Sequence, residues 1–496
     1  VNMARPARVV ALGLDGGEIE FIQTRADALP TLRHCLENGR LYRPAPPTAL
    51  SGSVWPTFYT GAPPGEHGMY QHLVWDPERM RVRRIDNDWT PRRPFWESLD
   101  SRGVRCVVVD VPYSFPAALR NGAVVTDWAT HGQTWSTAAT TSAADAMVRM
   151  FGPSPIGRET PVRKSPSQLD AIRRQLLESA RLKGELIVEM MQSLDWDLFT
   201  AVFAETHRGG HTLWSEQDEP GSSFHETPLL DVYRAVDTAL SRAIHTAGDA
   251  GAAVVVFSVH GMMTDHNQAH LVRPVIDRLN GLFVEQRCGL PAVRPGAGAL
   301  VRHLRRVVPP GVQHAVGSAV SDRVRQWVVE QEIIGGLDWS RTPGFALRTD
   351  IRTELRLNLR GRESQGMLDP GGALEKEYAT WVREVFLGLV DVESGRHLVE
   401  DVVRPQELFP GPRCAYLPDL VVTWQPHSPA RRVSAPRIGN LEINPEPVRG
   451  GDHTDRGFAM LLDPGNAATP PLTRTDEFAA FLCSLASDGA PAATAA

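Results

Sequence analysis

The chain has 496 residues, 42% of them hydrophobic and 22% charged, and a formal net charge of −6. This length supports one large or two ordinary domains, and the composition is that of a folded globular chain rather than a disordered one. No apolar run approaches the roughly 18 residues of a membrane span, and the acidic balance leaves no electrostatic footprint for a nucleic-acid duplex or an anionic membrane.

Cys35, Cys106, Cys288, Cys414 and Cys483 are odd in number and scattered, with no C-x-x-C pair, so neither a disulfide framework nor a thiolate zinc site is expected. No apolar leader precedes Arg8, and the expected location is cytoplasmic. Nothing in the sequence speaks to oligomeric state.

Short apolar runs alternate with amphipathic stretches through the first half of the chain. This pattern predicts an α/β fold, a mostly parallel central sheet flanked by helices on both faces. The expected central strands are 8–14, 104–110, 198–203, 252–257, 419–423 and 458–462, each short and solidly apolar. Ser165-Pro166-Ser167-Gln168 supplies a cap, a proline at the first helical position and a glutamine three residues after the cap, opening a helix toward Gln192. Leu229, Val232, Tyr233, Val236, Leu240, Ala243 and Ile244 recur at helical spacing, and that helix stops at Gly248.

From Arg273 to Pro410 the alternation breaks into Arg-rich patches and Pro/Gly clusters, with 353–360 reading as a hairpin arm. The expected organisation is an α/β core over 1–272 and 411–488 and an inserted cap over 273–410. A small-residue tail, 489–496, is expected to be disordered. Insertions at the carboxyl edge of such a sheet shape the substrate cleft.

Asp15 ends the first predicted strand in Gly13-Leu14-Asp15-Gly16-Gly17, where glycines permit a sharp turn and leave a carboxylate at the ligand-binding edge. It reads either as a hard metal ligand or as a turn aspartate. His207-Arg208-Gly209-Gly210-His211 follows the strand ending at Phe203. Two histidines four apart on a helical turn face the same way and suit one cation, with Glu205 as a nearby carboxylate; the glycines also suit two polar loop histidines.

His260, in Ser258-Val259-His260-Gly261-Met262, follows another strand, and His453, in Gly450-Gly451-Asp452-His453-Thr454, precedes the last. Four imidazoles and a carboxylate without a thiolate form the donor set of a catalytic zinc or manganese pair. The run from Leu50 to Gly61 is rich in hydroxyls, and a metal-bound serine there would be an activated nucleophile.

This order of motifs resembles the alkaline phosphatase superfamily, and within it the type I phosphodiesterase/nucleotide pyrophosphatase family. The most specific part is Thr60-Gly61-Ala62-Pro63-Pro64-Gly65-Glu66-His67-Gly68, and the likeness spans 8–264 and 418–462. The resemblance implies that Ser51 is the nucleophile, with Ser53 and Thr48 as alternatives in the same loop, and that Trp55 is the family's common tryptophan. It also implies two divalent ions, zinc above manganese or iron. One would be held by Asp15, Ser51 and His260, the other by His207, His211 and His453.

The sequence departs from the pattern at Val259 and His207, each standing where the family has an aspartate. Losing two negative charges weakens one metal position unless Glu205 or Asp452 enters it. Val54 replaces a phosphate-binding asparagine, which leaves Arg208 or Arg449 to contact the phosphate. The expected activity is metal-dependent hydrolysis of a small phosphorylated substrate, a phosphodiester or phosphomonoester, through a phosphoseryl intermediate. The alternatives are a catalytically silent or repurposed member that binds a phosphorylated ligand or partner, and a phosphoryl-type transferase.

Overall fold

The computed structural model describes residues 8–47, 50–130, 137–156, 159, 163–219, 221–290, 327–328, 330–331, 333–347, 352–445, 449–462 and 469–486, and for Ser51 the backbone only. Thr48 and the tail 489–496 lie outside the described residues.

Strand Val9–Leu14 is buried along its whole length between Leu198–Phe203 and Ala253–Ser258, both parallel to it. Its side chains alternate between two apolar layers: Val10, Leu12 and Leu14 enter one, Val9 and Ala11 the other. A strand covered on both faces has no reason to carry polar residues, which is why it reads as an unbroken apolar run. Cys106–Val109 and Ala123–Thr126 extend the parallel set. Antiparallel strands finish the eight-stranded sheet: Ala138–Ala139 at one edge, Phe458–Leu462 and then Arg40–Tyr42 at the other.

The expected helices flank this sheet. Helix Pro166–Ser193 opens with both reciprocal hydrogen bonds between Ser165 and Gln168, and it packs beside Pro228–Asp249. Midway along it the Lys183 ammonium, fully buried, donates to Ala129 O and Val202 O at 2.9 Å each and pairs with Asp110 at 2.9 Å. Three acceptors match three N–H donors, so this buried charge is both neutralised and hydrogen-bonded.

One expected central strand belongs elsewhere. Leu420–Trp424 pairs antiparallel with Thr353–Leu357 and Val399–Val403 in a separate four-stranded sheet completed by Gly344–Ala346. Its apolar run reflects burial on both faces, which a second core satisfies as well as the first. That core gathers residues of helices Ala269–Cys288 and Ala373–Leu387 with the antiparallel strands. The predicted hairpin arm is the Thr353–Leu357 strand, paired with Gly344–Ala346.

A short antiparallel ribbon, Gly261–Thr264 against Gly451–Thr454, joins the two ends of this excursion at the central sheet. No helix among the described residues is long and apolar enough to cross a membrane.

The second core is pinned by a buried ionic knot. Asp419 accepts from two Arg362 nitrogens at 2.7 Å each and from the Leu357 amide at 2.7 Å, while Glu363 pairs with Arg356 at 2.8 Å. Burial alone would push the Asp419 carboxyl up, but Arg362, and behind it Arg356, outweigh burial and hold it below the usual carboxylate range. Asp419→Asn removes one of the two carboxylates paired with these guanidinium groups, and is expected to cost about 3–5 kcal/mol in denaturant unfolding. A depressed carboxyl contributes above its unfolded pKa of about 3.9 and loses its contribution as pH falls through the folded value. The stabilities of wild type and variant should therefore converge in acid.

Candidate metal centre

The end of strand Val9–Leu14 turns sharply at Asp15. Gly16 has φ +66°, and a Cβ on it would sit 3.1 Å from the His207 Cα, so glycine lets this turn lie against the next helix. That helix is Glu205–Leu213, and Thr206 Oγ1 anchors it by donating to Asp15 O at 2.6 Å. Residues four apart on one helix share a side, so His207 and His211 both face the Asp15 turn. His453 enters from the ribbon strand Gly451–Thr454, and His260 from the link between Ala253–Ser258 and the ribbon.

The three Nε2 atoms of His207, His211 and His453 lie within 2.8–3.1 Å of one another. Nδ1 of His211 is 2.8 Å from Gly451 O and must donate to that carbonyl, which leaves a lone pair on its Nε2. Nδ1 of His207 is 2.7 Å from Asp15 Oδ2. Nε2 of His260 is 3.2 Å from Asp15 Oδ1, and its ring centroid is 4.1 Å from that of His453. Burial first, then Arg449 and His207, holds the His211 imidazole well below its ordinary pKa; burial and then His260 do the same for His453. Imidazole nitrogens converging on a common point are a donor set that suits a divalent ion. Two sets of ligand atoms meet the distances for an ion: His207, His211 and His453, and Asp15, His207 and His260.

The hydroxyl loop is fastened to the same carboxylate. Ser51 opens the turn Ser51–Ser53, which runs directly into helix Val54–Thr60. Gly52 passes so close to Tyr70 that a Cβ would lie 2.1 Å from its carbonyl oxygen. Ser53 donates its hydroxyl to Leu50 O at 2.5 Å, a local turn bond. Trp55 donates Nε1–H to Asp15 Oδ1 at 2.8 Å, tying this helix to the Asp15 turn. His67, from the Thr-Gly-x-x-Pro-x-x-His-Gly run, accepts from the Met69 amide at Nδ1 (3.0 Å), so its Nε2–H faces Thr57 Oγ1 at 3.1 Å. That histidine braces the loop from behind.

The remaining predicted residues fall in three places. Val259 is fully buried and belongs to the apolar cluster that also holds Val54, Trp55 and Phe257. Glu205 accepts from Ser179 Oγ at 2.6 Å, and Asp452 accepts from the His453 amide at 2.7 Å; neither belongs to the converging ligand sets. Arg208 and Arg449 approach Glu159 at 3.2 and 3.7 Å. Lys164 belongs to the same neighbourhood, its pKa lowered to about 8 by burial first and then, against the pull of Glu159, by Arg208 and Arg449.

Two residues escape a sequence reading. Glu18 Oε2 accepts from the Met262 amide and from Thr454 Oγ1, at 3.1 Å each, and so clamps both strands of the histidine-bearing ribbon. Its one sequence signal is a carboxylate three residues after Asp15. Lys183 sits in the interior of a long helix where nothing marks it.

A parallel sheet with imidazoles gathered at its carboxyl edge defines an alkaline phosphatase-like hydrolase fold. The structure is similar to phosphonoacetate hydrolase from Sinorhizobium meliloti 1021 in complex with phosphonoformate, at 14% identity and TM-score 0.53, over 98% of this chain and 96% of that one. Murine ectonucleotide pyrophosphatase/phosphodiesterase 5, in an inactive form in complex with AMP, is similar at 11% identity and TM-score 0.47 over the same shares. No curated sequence relative matches the chain. The profile of the type I phosphodiesterase/nucleotide pyrophosphatase family matches residues 9–333, and the chain belongs to this family of phosphoester hydrolases in the alkaline phosphatase superfamily.

Burial lowers the His67 pKa to about 3, well under its unfolded value near 6.5. The unfolded chain therefore takes up the proton first, and stability falls as pH drops below about 6.5, by up to roughly 1.4 kcal/mol per unit. In a melting-temperature series from pH 7 to 4, His67→Gln should show a lower plateau and a shallower acid slope than wild type.

Proposed function

We propose that the chain is a divalent-metal-dependent hydrolase of phosphate esters that works through a phosphoseryl intermediate on Ser51. The observation that carries this reading is the convergence of the His207, His211 and His453 Nε2 atoms within 2.8–3.1 Å, beside a carboxylate to which the hydroxyl loop is tied. Imidazole donors without thiolates suit zinc, with manganese and iron as the alternatives. A bound ion supplies Lewis-acid neutralisation of phosphoryl charge and acidifies hydroxyl groups.

Ser51 Oγ bonds to phosphorus as the bond to the leaving oxygen breaks, and the proton that Ser51 loses is balanced by one gained on the leaving oxygen. Water then cleaves the phosphoseryl bond and returns the hydroxyl. Asp15, through Trp55, holds the turn that carries Ser51. Arg208, Arg449 and Lys164 gather around Glu159, with Asp265 also acting on Arg449, and these cationic side chains are assigned to the anionic part of the substrate as charge-assisted partners. The antiparallel region packed with helix Ala269–Cys288 serves as the cap that selects a small phosphorylated molecule.

Val259 favours a second reading, a member that binds a phosphorylated ligand or partner without turning it over. Assays with nitrophenyl phosphate mono- and diesters separate the two. Turnover that Ser51→Ala lowers by several orders of magnitude, with zinc content unchanged, supports the hydrolase. Unchanged turnover in that variant discards Ser51, and binding without turnover in wild type favours the silent member. Added alcohol acceptors that divert product from inorganic phosphate would identify a transferase. His211→Ala should lower the bound zinc measured by elemental analysis.

A further inference from the structure

We infer that Gly210 and Met262 form the spacer that sets how closely His453 approaches His207 and His211, which makes both of them positioning residues for the three-imidazole point. The inference rests on the metal-dependent reading above and adds to it two residues that carry no ligand atom.

At one end of their contact the ribbon and the helix Glu205–Leu213 meet backbone to backbone. Gly450 N donates to His211 O at 2.8 Å, and a Cβ on Gly451 would lie 2.6 Å from Gly210 O. His453 stands next but one to Gly451 on the same strand, and its partner across the ribbon is Met262. Side chains alternate along a strand, so Gly451 and His453 share one face of the ribbon. Residues directly opposite in an antiparallel pair project from the same face, so Met262 shares it too. Met262 therefore presses on the helix from the face that presents His453.

The Met262 side chain is fully buried in a notch between two glycines. A Cβ on Gly210 would lie 2.9 Å from its Cγ and 2.7 Å from its Cε, and a Cβ on Gly16 would lie 3.2 Å from its Cγ and Sδ. Non-bonded carbon atoms rest about 3.5–4.0 Å apart, so a methyl group at Gly210 has to open the seam by roughly 1 Å. Methionine evades many obstacles by turning its terminal atoms. Here the hemmed atoms include Cγ, close to the backbone, so the ribbon has to move with the side chain. Ligand distances around an ion hold to within about 0.2 Å. A seam opened by several times that takes the His453 Nε2 from its place 3.0 and 3.1 Å from those of His207 and His211. The same close approach explains why glycine, a poor helix former, stands inside this helix.

The test is the zinc affinity of the full chain, stripped with a chelator and titrated with zinc against a chromophoric competitor, with a thermal melt of each variant. Gly210→Ala is expected to bind zinc about 10–100-fold more weakly than wild type. Gly209→Ala, whose methyl meets the side-chain tips of Leu229 and Val232 instead of the ribbon, should stay within about threefold. In a Met262→Ala background, where the notch is vacated, Gly210→Ala should change affinity by less than about threefold. A Gly210→Ala affinity within about threefold of wild type overturns the inference, as does an equal loss in Gly209→Ala or an equal loss with and without Met262. The hydrolase reading survives all three. If Gly210→Ala does not melt cooperatively, Met262→Ala alone decides: a loss of about tenfold supports the spacer, and an affinity within about threefold of wild type overturns it. No zinc bound to wild type removes the metal-dependent reading, and this inference with it.

Discussion

Three buried imidazole Nε2 atoms held 2.8–3.1 Å apart form a point that suits a shared proton or a divalent ion, and much of the surrounding structure serves to hold them there. Gly451 O fixes the His211 ring from behind, and Asp15 Oδ2 lies 2.7 Å from the His207 Nδ1. Burial keeps His211 and His453 neutral, hence able to donate to a cation. The helical turn that spaces His207 from His211 and the ribbon that delivers His453 are the backbone solutions to the same constraint.

The surrounding framework is polar where it must be rigid. Glu18 reaches under the ribbon to bond both of its strands, and burial raises its pKa against the opposing pull of Arg456. Lys183 joins the long flanking helix to the sheet through two carbonyls and Asp110. Neither residue approaches the ligand atoms, yet each fixes an element on which the centre depends. Buried polar groups of this kind are stabilising only because every donor has found an acceptor.

Much of this was legible in the sequence because the same physics wrote it. Strands buried on both faces announce themselves as apolar runs, and Ser165 with Gln168 marks a helix start by the bonds it goes on to make. His207, His211, His260 and His453 were readable from their position after or before such strands. The assignment of Leu420–Trp424 to a second sheet was not, since burial leaves the same trace whichever core provides it. Val259 was visible as a departure from the family pattern, but its place in the apolar cluster that also holds Trp55 and Phe257 was not. The His211 tautomer was equally hidden, because it depends on Gly451 O, an acceptor that no spacing rule connects to a histidine.

The ribbon between Gly261–Thr264 and Gly451–Thr454 also sets an order of events in biosynthesis. A ribosome delivers His207 and His211 long before His453, which lies 242 residues beyond His211, with the entire antiparallel region translated in between. The early pair stays without its third ring until that region has folded and brought His453 back. Closing so long a loop costs little more entropy than closing one half its length. Completion of the three-histidine cluster is therefore a late event, reached only by chains whose intervening region has already brought the ribbon strands together.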